Sequence, residues 1–279
     1  MNILEKLIVY LLKCLFGIYK PIKIGNNKIY CPLFYNYNGR LEATWDILNK
    51  DKQEIKFVSE YIKSGCPKGF QPSITFLLSP ADEAGNITDK NLVMINNDNL
   101  NKAIEKIQYF LDNGIAIFPC LYTDDKSPDW RDIGKHINIW KTIHNKIKDY
   151  VSGYLLSIES NERFRNINIL KDCLITMKSH LTDVEIYTTH LQYNSTDYRW
   201  LTENQLFNEL EYIFVETSWQ PTQGNNIDIN RFSAEIDNMI NNNKSKKLVI
   251  MEYNTDLYSE KAKQQRMYLI NKTSLGGIG

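Results

Sequence analysis

Eight short apolar runs, separated by stretches of helical spacing, are the feature that most constrains this chain. In order they are 29–36 (IYCPLFYN), 73–79 (SITFLLS), 115–122 (IAIFPCLY), 154–159 (YLLSIE), 184–190 (VEIYTTH), 211–217 (EYIFVET), 247–253 (KLVIMEY) and 275–279 (LGGIG). Between them, helical patterns fall at 53–63, 99–112, 130–150, 168–180, 203–210, 230–241 and 259–271. Strand cores that are apolar throughout need cover on both faces, and alternation with helices supplies it.

Parallel β-α units follow from this order, and a count of eight predicts closure into an α/β (β/α)₈ TIM barrel. An open doubly wound sheet would show the same alternation, yet neither GxGxxG nor GxxxxGK[ST] follows any early strand. With 279 residues, the chain has the length of one barrel of roughly 250 residues. The expected division is an N-terminal amphipathic helix over 1–22 and a catalytic-type barrel over 23–279.

The N-terminal run 3–19 (ILEKLIVYLLKCLFGIY) is apolar but broken by Lys6 and Lys13. It lacks a clear secretory pattern, and it is short for a membrane span. Leu4, Leu7, Ile8, Leu11, Leu12 and Leu15 share one side of a helix. Packing on the barrel is the favoured role, with membrane or assembly contact as the less favoured one. The sequence stops in the eighth run, so the helix that normally follows is expected to be missing, and residues 3–19 are placed over the seam between strands eight and one.

Composition narrows the function classes. Lys plus Arg and Asp plus Glu both number 33, which leaves no net charge and no basic stripe for a nucleic-acid backbone. The five cysteines (Cys14, Cys31, Cys66, Cys120 and Cys173) are scattered without CxxC spacing and read as small core residues rather than a zinc site or disulfide framework. HExxH and GxSxG are absent. No metal and no cofactor are expected, and the cellular location stays open.

In a barrel of this kind, the C-terminal strand ends and the loops after them build the site. Those ends carry Tyr35, Asn36, Tyr37, Glu42 and Trp45 after run one, and Tyr122, Asp124, Asp125 and Trp130 after run three. Run four leads to Glu159, Asn161 and Glu162, and run five to His190, Gln192 and Tyr193. Glu216 and Trp219 follow from run six, and Glu252 from run seven. Aromatic faces suit the apolar faces of sugar rings, acids and amides suit hydroxyls, and two carboxyls flanking a glycosidic oxygen can cleave it.

Ser160-Asn161-Glu162 after strand four and Ile250-Met251-Glu252 at strand seven resemble the clan A (β/α)₈ retaining glycoside hydrolases, of which family 5 cellulases and mannanases are typical. The resemblance implies that Glu162 is the acid/base, that Glu252 is the nucleophile and that Asn161 holds the sugar 2-hydroxyl. Arg163 stands where that clan usually has proline, and Glu159 competes with Glu162 for the acid/base place. His190, Tyr193, Glu216, Trp219, Trp45, Tyr122 and Trp130 are the expected substrate contacts, with carbohydrate as the partner. Each has a plainer reading: a solvated loop carboxylate, a core histidine or a packing aromatic. The alternative function is a non-catalytic glycan-binding or attachment barrel within a larger assembly, viral or cell-surface. A barrel lyase or phosphate-dependent enzyme is the third reading.

Overall fold

The computed structural model describes residues 19–78, 97–121, 133–157, 164, 167–192, 210–216, 229–242, 247–251 and 260–279, together with Leu4 and Ile8. Eleven strands are present among them: β1 (Lys28–Tyr30), β2 (Phe34–Tyr37), β3 (Arg40–Ala43), β4 (Phe70–Leu77), β5 (Ala116–Cys120) and β6 (Gly153–Leu155), then β7 (Ile186–Thr188), β8 (His190–Gln192), β9 (Tyr212–Glu216), β10 (Lys247–Met251) and β11 (Gly277–Ile278). The helices are α1 (Lys52–Gly65), α2 (Asn97–Asp112), α3 (Ile133–Ile147), α4 (Ile167–His180), α5 (Ile229–Asn242) and α6 (Glu260–Asn271), with a 3₁₀ helix at Thr44–Asn49.

Nine strands form one parallel sheet in the order β7-β6-β5-β4-β1-β11-β10-β9-β8. Its two edges, β7 and β8, are consecutive pieces of one strand that meet at Thr189. On one side the Leu156 amide donates to the Thr188 carbonyl at 3.0 Å, and the His190 amide to the Ser157 carbonyl at 3.1 Å. On the other, the Phe214 amide donates to the Thr189 carbonyl at 3.1 Å and the Thr188 hydroxyl to the Tyr212 carbonyl at 2.6 Å. The sheet therefore closes on itself, and the nine strands make eight staves. This is a (β/α)₈ barrel.

Inside, Ile29, Phe118, Leu155, Ile186, Tyr212, Phe214 and Met251 form one packed core. Phe118 and Phe214 meet edge to face at 5.9 Å from staves three and six. A second core lies between staves and helices, where Ile74, Ile117, Ile213 and Ile250 meet α-helical residues such as Val58, Ile107, Trp140 and Phe232. The alternation of inner and outer residues along each stave explains why the runs are continuously apolar. Gly277 lets the short last stave fit: a Cβ there would sit on the Ile29 carbonyl oxygen. Both edges of that stave are paired, through Gly276 to Leu248 and Ile29, and through Gly279 to Ile250.

Two details differ from the sequence expectation. Run one does not continue to Asn36. β1 ends at Tyr30, Pro32 follows, and Phe34–Tyr37 pairs with Arg40–Ala43 as an antiparallel hairpin. Asn38 and Gly39, with φ of 51° and 79°, supply the two positive-φ positions that a tight hairpin turn needs. Stave five also runs beyond His190 to Gln192. The expected helix at 203–210 lies outside the described residues.

The segment before β1 crosses the N-terminal mouth of the barrel. Tyr19 packs on Tyr150 at 5.1 Å, Lys23 pairs with Glu185 at 2.9 Å, and the Tyr212 hydroxyl donates to the Asn27 carbonyl at 3.3 Å. Ile24 is buried against the inner core. At the seam between the last and first staves, Arg266 of α6 donates to the Gly65 carbonyl of α1 and lies 5.4 Å over the Tyr30 ring. Helices α6 and α1 thus meet across it. Of the helix expected over 1–22, Leu4 and Ile8 are helical and exposed, whereas residues 19–22 are described and are not helical, because the chain there is already extended across the barrel mouth; the remainder lies outside the described residues.

Candidate active site

Among the described residues, the loop after stave one supplies much of the C-terminal rim. It consists of the β2–β3 hairpin, the 3₁₀ helix and the start of α1. Asp51 caps α1, accepting from the amides of Gln53 at 2.8 Å and Glu54 at 2.9 Å. That cap fixes Glu54 in the first turn, where the Tyr35 hydroxyl donates to its Oε1 at 2.8 Å. Lys50 bonds Glu42 at 2.6 Å and lies 3.8 Å from Glu54. Hairpin and helix are therefore locked by one polar network. Burial, reinforced by the Glu54 carboxylate, raises the Tyr35 phenol well above its ordinary value. The hydrogen bond to Glu42 holds the Lys50 ammonium charged.

Trp45 stands on the 3₁₀ helix, half-buried against the inner barrel core. Its ring meets His190 of stave five edge to face at 5.8 Å. The fold thus brings together two of the expected substrate contacts that are far apart in sequence. His190 is 1% exposed, and burial pushes its imidazole down to about 3, so it is neutral at neutral pH. A neutral imidazole can donate from one nitrogen and accept at the other; it brings no charge to the rim. Lys106 of α2 completes the support: its ammonium donates to the carbonyls of Leu48 and, at 2.8 Å, Lys50, at the end of the helix that carries Trp45.

Glu216 ends stave six, in register with Gln192 on one side and Met251 on the other. Glu252 directly follows Met251, the last residue of stave seven. Stave four remains bonded to stave five as far as Ser157, beyond which the chain leads to Glu159, Asn161 and Glu162. Asn161, Glu162, Glu252, Glu159, Tyr122, Trp130, Tyr193 and Trp219 all lie outside the described residues. No cluster of three or more His, Cys, Asp or Glu that could hold a metal ion occurs among the described residues. None of the described helices is long and apolar enough to cross a membrane.

Sequence reasoning singled out Trp45 and His190 but not Lys50, Glu54, Arg40 or Lys106. The one available signal was Asn38-Gly39, which marks a hairpin and so divides run one.

No family model matches the sequence, and no curated protein matches it. Solved structures do match the fold. A GH5_18 protein of Streptomyces cattleya in complex with Manβ1-4GlcNAc superposes with a TM-score of 0.60 at 12% identity, over 90% of this chain and 70% of that one. By fold, the chain is a (β/α)₈ barrel like that of these glycosidases. The β-mannanase of the blue mussel Mytilus edulis matches with a TM-score of 0.55 at 12% identity, over 94% of this chain and 90% of that one. The GH113 β-mannanase of Alicyclobacillus acidocaldarius gives 0.51 at 9% identity, covering 90% and 84%. At such identities what is shared is the (β/α)₈ barrel as a backbone architecture.

Proposed function

We propose that this (β/α)₈ barrel is a retaining glycoside hydrolase that cleaves a β-linked poly- or oligosaccharide without a cofactor. Glu252 attacks the anomeric carbon as Glu162 protonates the departing glycosidic oxygen, which leaves a glycosyl ester on Glu252. Glu162, now a carboxylate, takes a proton from water as that water displaces Glu252, restoring both groups. Asn161 holds the 2-hydroxyl. Trp45, Tyr122, Trp130, Tyr193 and Trp219 provide sugar platforms, while His190 and Glu216 bond hydroxyls.

The observation that carries this reading is the closure of the barrel with Trp45 and His190 in contact at its C-terminal rim. Staves four and seven end on that same rim; in sequence, Glu252 is the residue after stave seven, and Ser160-Asn161-Glu162 follows the described end of stave four. The β-mannanases and the GH113 β-1,4-mannanase among the structures of similar fold make β-1,4-mannan and its oligosaccharides the first substrates to try. Glu162→Gln and Glu252→Gln are each expected to abolish release of reducing ends while the protein still melts cooperatively. Full activity in either variant rejects the pair. Binding of glycan by the wild type without any release of reducing ends would instead favour the non-catalytic barrel.

A further inference from the structure

A hollow of about 430 Å³ lies beside the β2–β3 hairpin, lined by Tyr37, Asn38, Arg40, Glu42, Lys50 and Glu54. We infer that it is an accessory subsite for one neutral, hydroxyl-rich sugar unit of a longer glycan, separate from the glutamate pair. Its ligand class rests on the glycosidase reading; its existence rests on the geometry of the hairpin.

The volume falls within the range of about 300–1,000 Å³ usual for small-ligand sites. Its lining carries two cations and two carboxylates, so neither a strong anion nor a strong cation is favoured. The donors and acceptors are unevenly committed. Lys50 engages Oε2 of Glu42 and Oε1 of Glu54, and Tyr35 also donates to that same Oε1. Among the described residues, nothing else engages Oε1 of Glu42 or Oε2 of Glu54, which can accept. Arg40 is exposed and makes no ion pair among the described residues. A planar fork of donors beside two acceptors is the complement of adjacent ring hydroxyls, each of which donates once and accepts.

Tyr37 adds an aromatic wall, half-buried and steadied by Phe57 at 5.1 Å. A lock between hairpin and helix would need only the bonds from Tyr35 through Glu54 and Lys50 to Glu42. It would need neither the hollow nor the Arg40 guanidinium. The hairpin belongs to the same rim loop as Trp45, so a glycan held at the barrel mouth and extending over that loop would meet it.

The test is surface plasmon resonance on the immobilised full chain, with β-1,4-mannotriose and β-1,4-mannohexaose flowed continuously so that turnover cannot deplete them. Wild type is expected to bind the hexaose more tightly than the triose. Arg40→Ala should cut that length advantage about tenfold, and Arg40→Lys should restore part of it. Thermal unfolding of the exposed-site variants is measured alongside as a check on folding. A length advantage that stays within about twofold of wild type in Arg40→Ala overturns the subsite. Failure of the wild type to bind either sugar overturns it as well. Loss of the advantage in Arg40→Ala, together with full activity in Glu252→Gln, would uphold the subsite and reject the catalytic pair.

Discussion

Acid should destabilise this protein through His190, and the size of the effect can be worked out. The imidazole is 1% exposed, and its burial lowers it from 6.5 to about 3. Between those values the unfolded chain takes up a proton that the fold refuses. Stability therefore falls as pH falls, and the contribution is complete only above the unfolded value. Each pH unit inside the window removes about 1.4 kcal/mol, so going from about pH 7.5 to 4.5 removes about 2.5 kcal/mol. That is a large share of a typical folding free energy of about 5–15 kcal/mol. The assay is urea unfolding at a series of pH values for wild type and His190→Leu. Burial also lowers His144, but that residue is present in both proteins and cancels in the comparison. The wild-type profile should fall more steeply by about 2.5 kcal/mol over that span, whatever the absolute stability of the variant. Parallel profiles would refute the reasoning, because they would mean that His190 titrates alike in both states.

Three further outcomes follow from the packing. Gly277→Ala places a methyl group on the Ile29 carbonyl oxygen, so it should cost about 3 kcal/mol or more in chemical denaturation, or prevent folding; a loss below about 1 kcal/mol would show that the last stave can shift. Lys106→Met removes two carbonyl contacts at the end of the 3₁₀ helix and should cost about 1–2 kcal/mol. Trp45→Ala should weaken mannohexaose binding about tenfold by titration, and Trp45→Phe should retain most of it; equal affinity in both would make Trp45 a packing residue only.

The staves were legible because a strand covered on both faces must be apolar throughout, and runs such as IAIFPCLY and KLVIMEY have no other economical use. The first stave was overread because IYCPLFYN is apolar across a break that only Pro32 and the Asn38-Gly39 turn betray. The split of stave five at Thr189 leaves no pattern at all, since it depends on the neighbouring staves that bond Thr188 and His190. The rim follows the same logic. Trp45 and His190 were legible as polar or aromatic residues near stave ends, but their contact was not, because periodicity reports which face a residue occupies and not what meets it. Lys106 sits at an ordinary place on an amphipathic helix, and nothing local distinguishes it from other helix lysines. The Lys50–Glu42 and Tyr35–Glu54 bonds are equally silent in sequence. The two glutamates are proposed by a different route, from short motifs that follow the fourth and seventh staves in sequence, and both lie outside the described residues.

The most direct measurement of the central claim is covalent trapping. The protein is incubated with an activated 2-deoxy-2-fluoro-β-mannoside, whose fluorine slows breakdown of the glycosyl ester, and is then analysed by intact-mass and peptide mass spectrometry. The two-glutamate account predicts one fluorosugar adduct per chain, on the peptide containing Glu252 and absent in Glu252→Gln. Turnover of mannan without an adduct, or an adduct on another carboxylate such as Glu216, would contradict it.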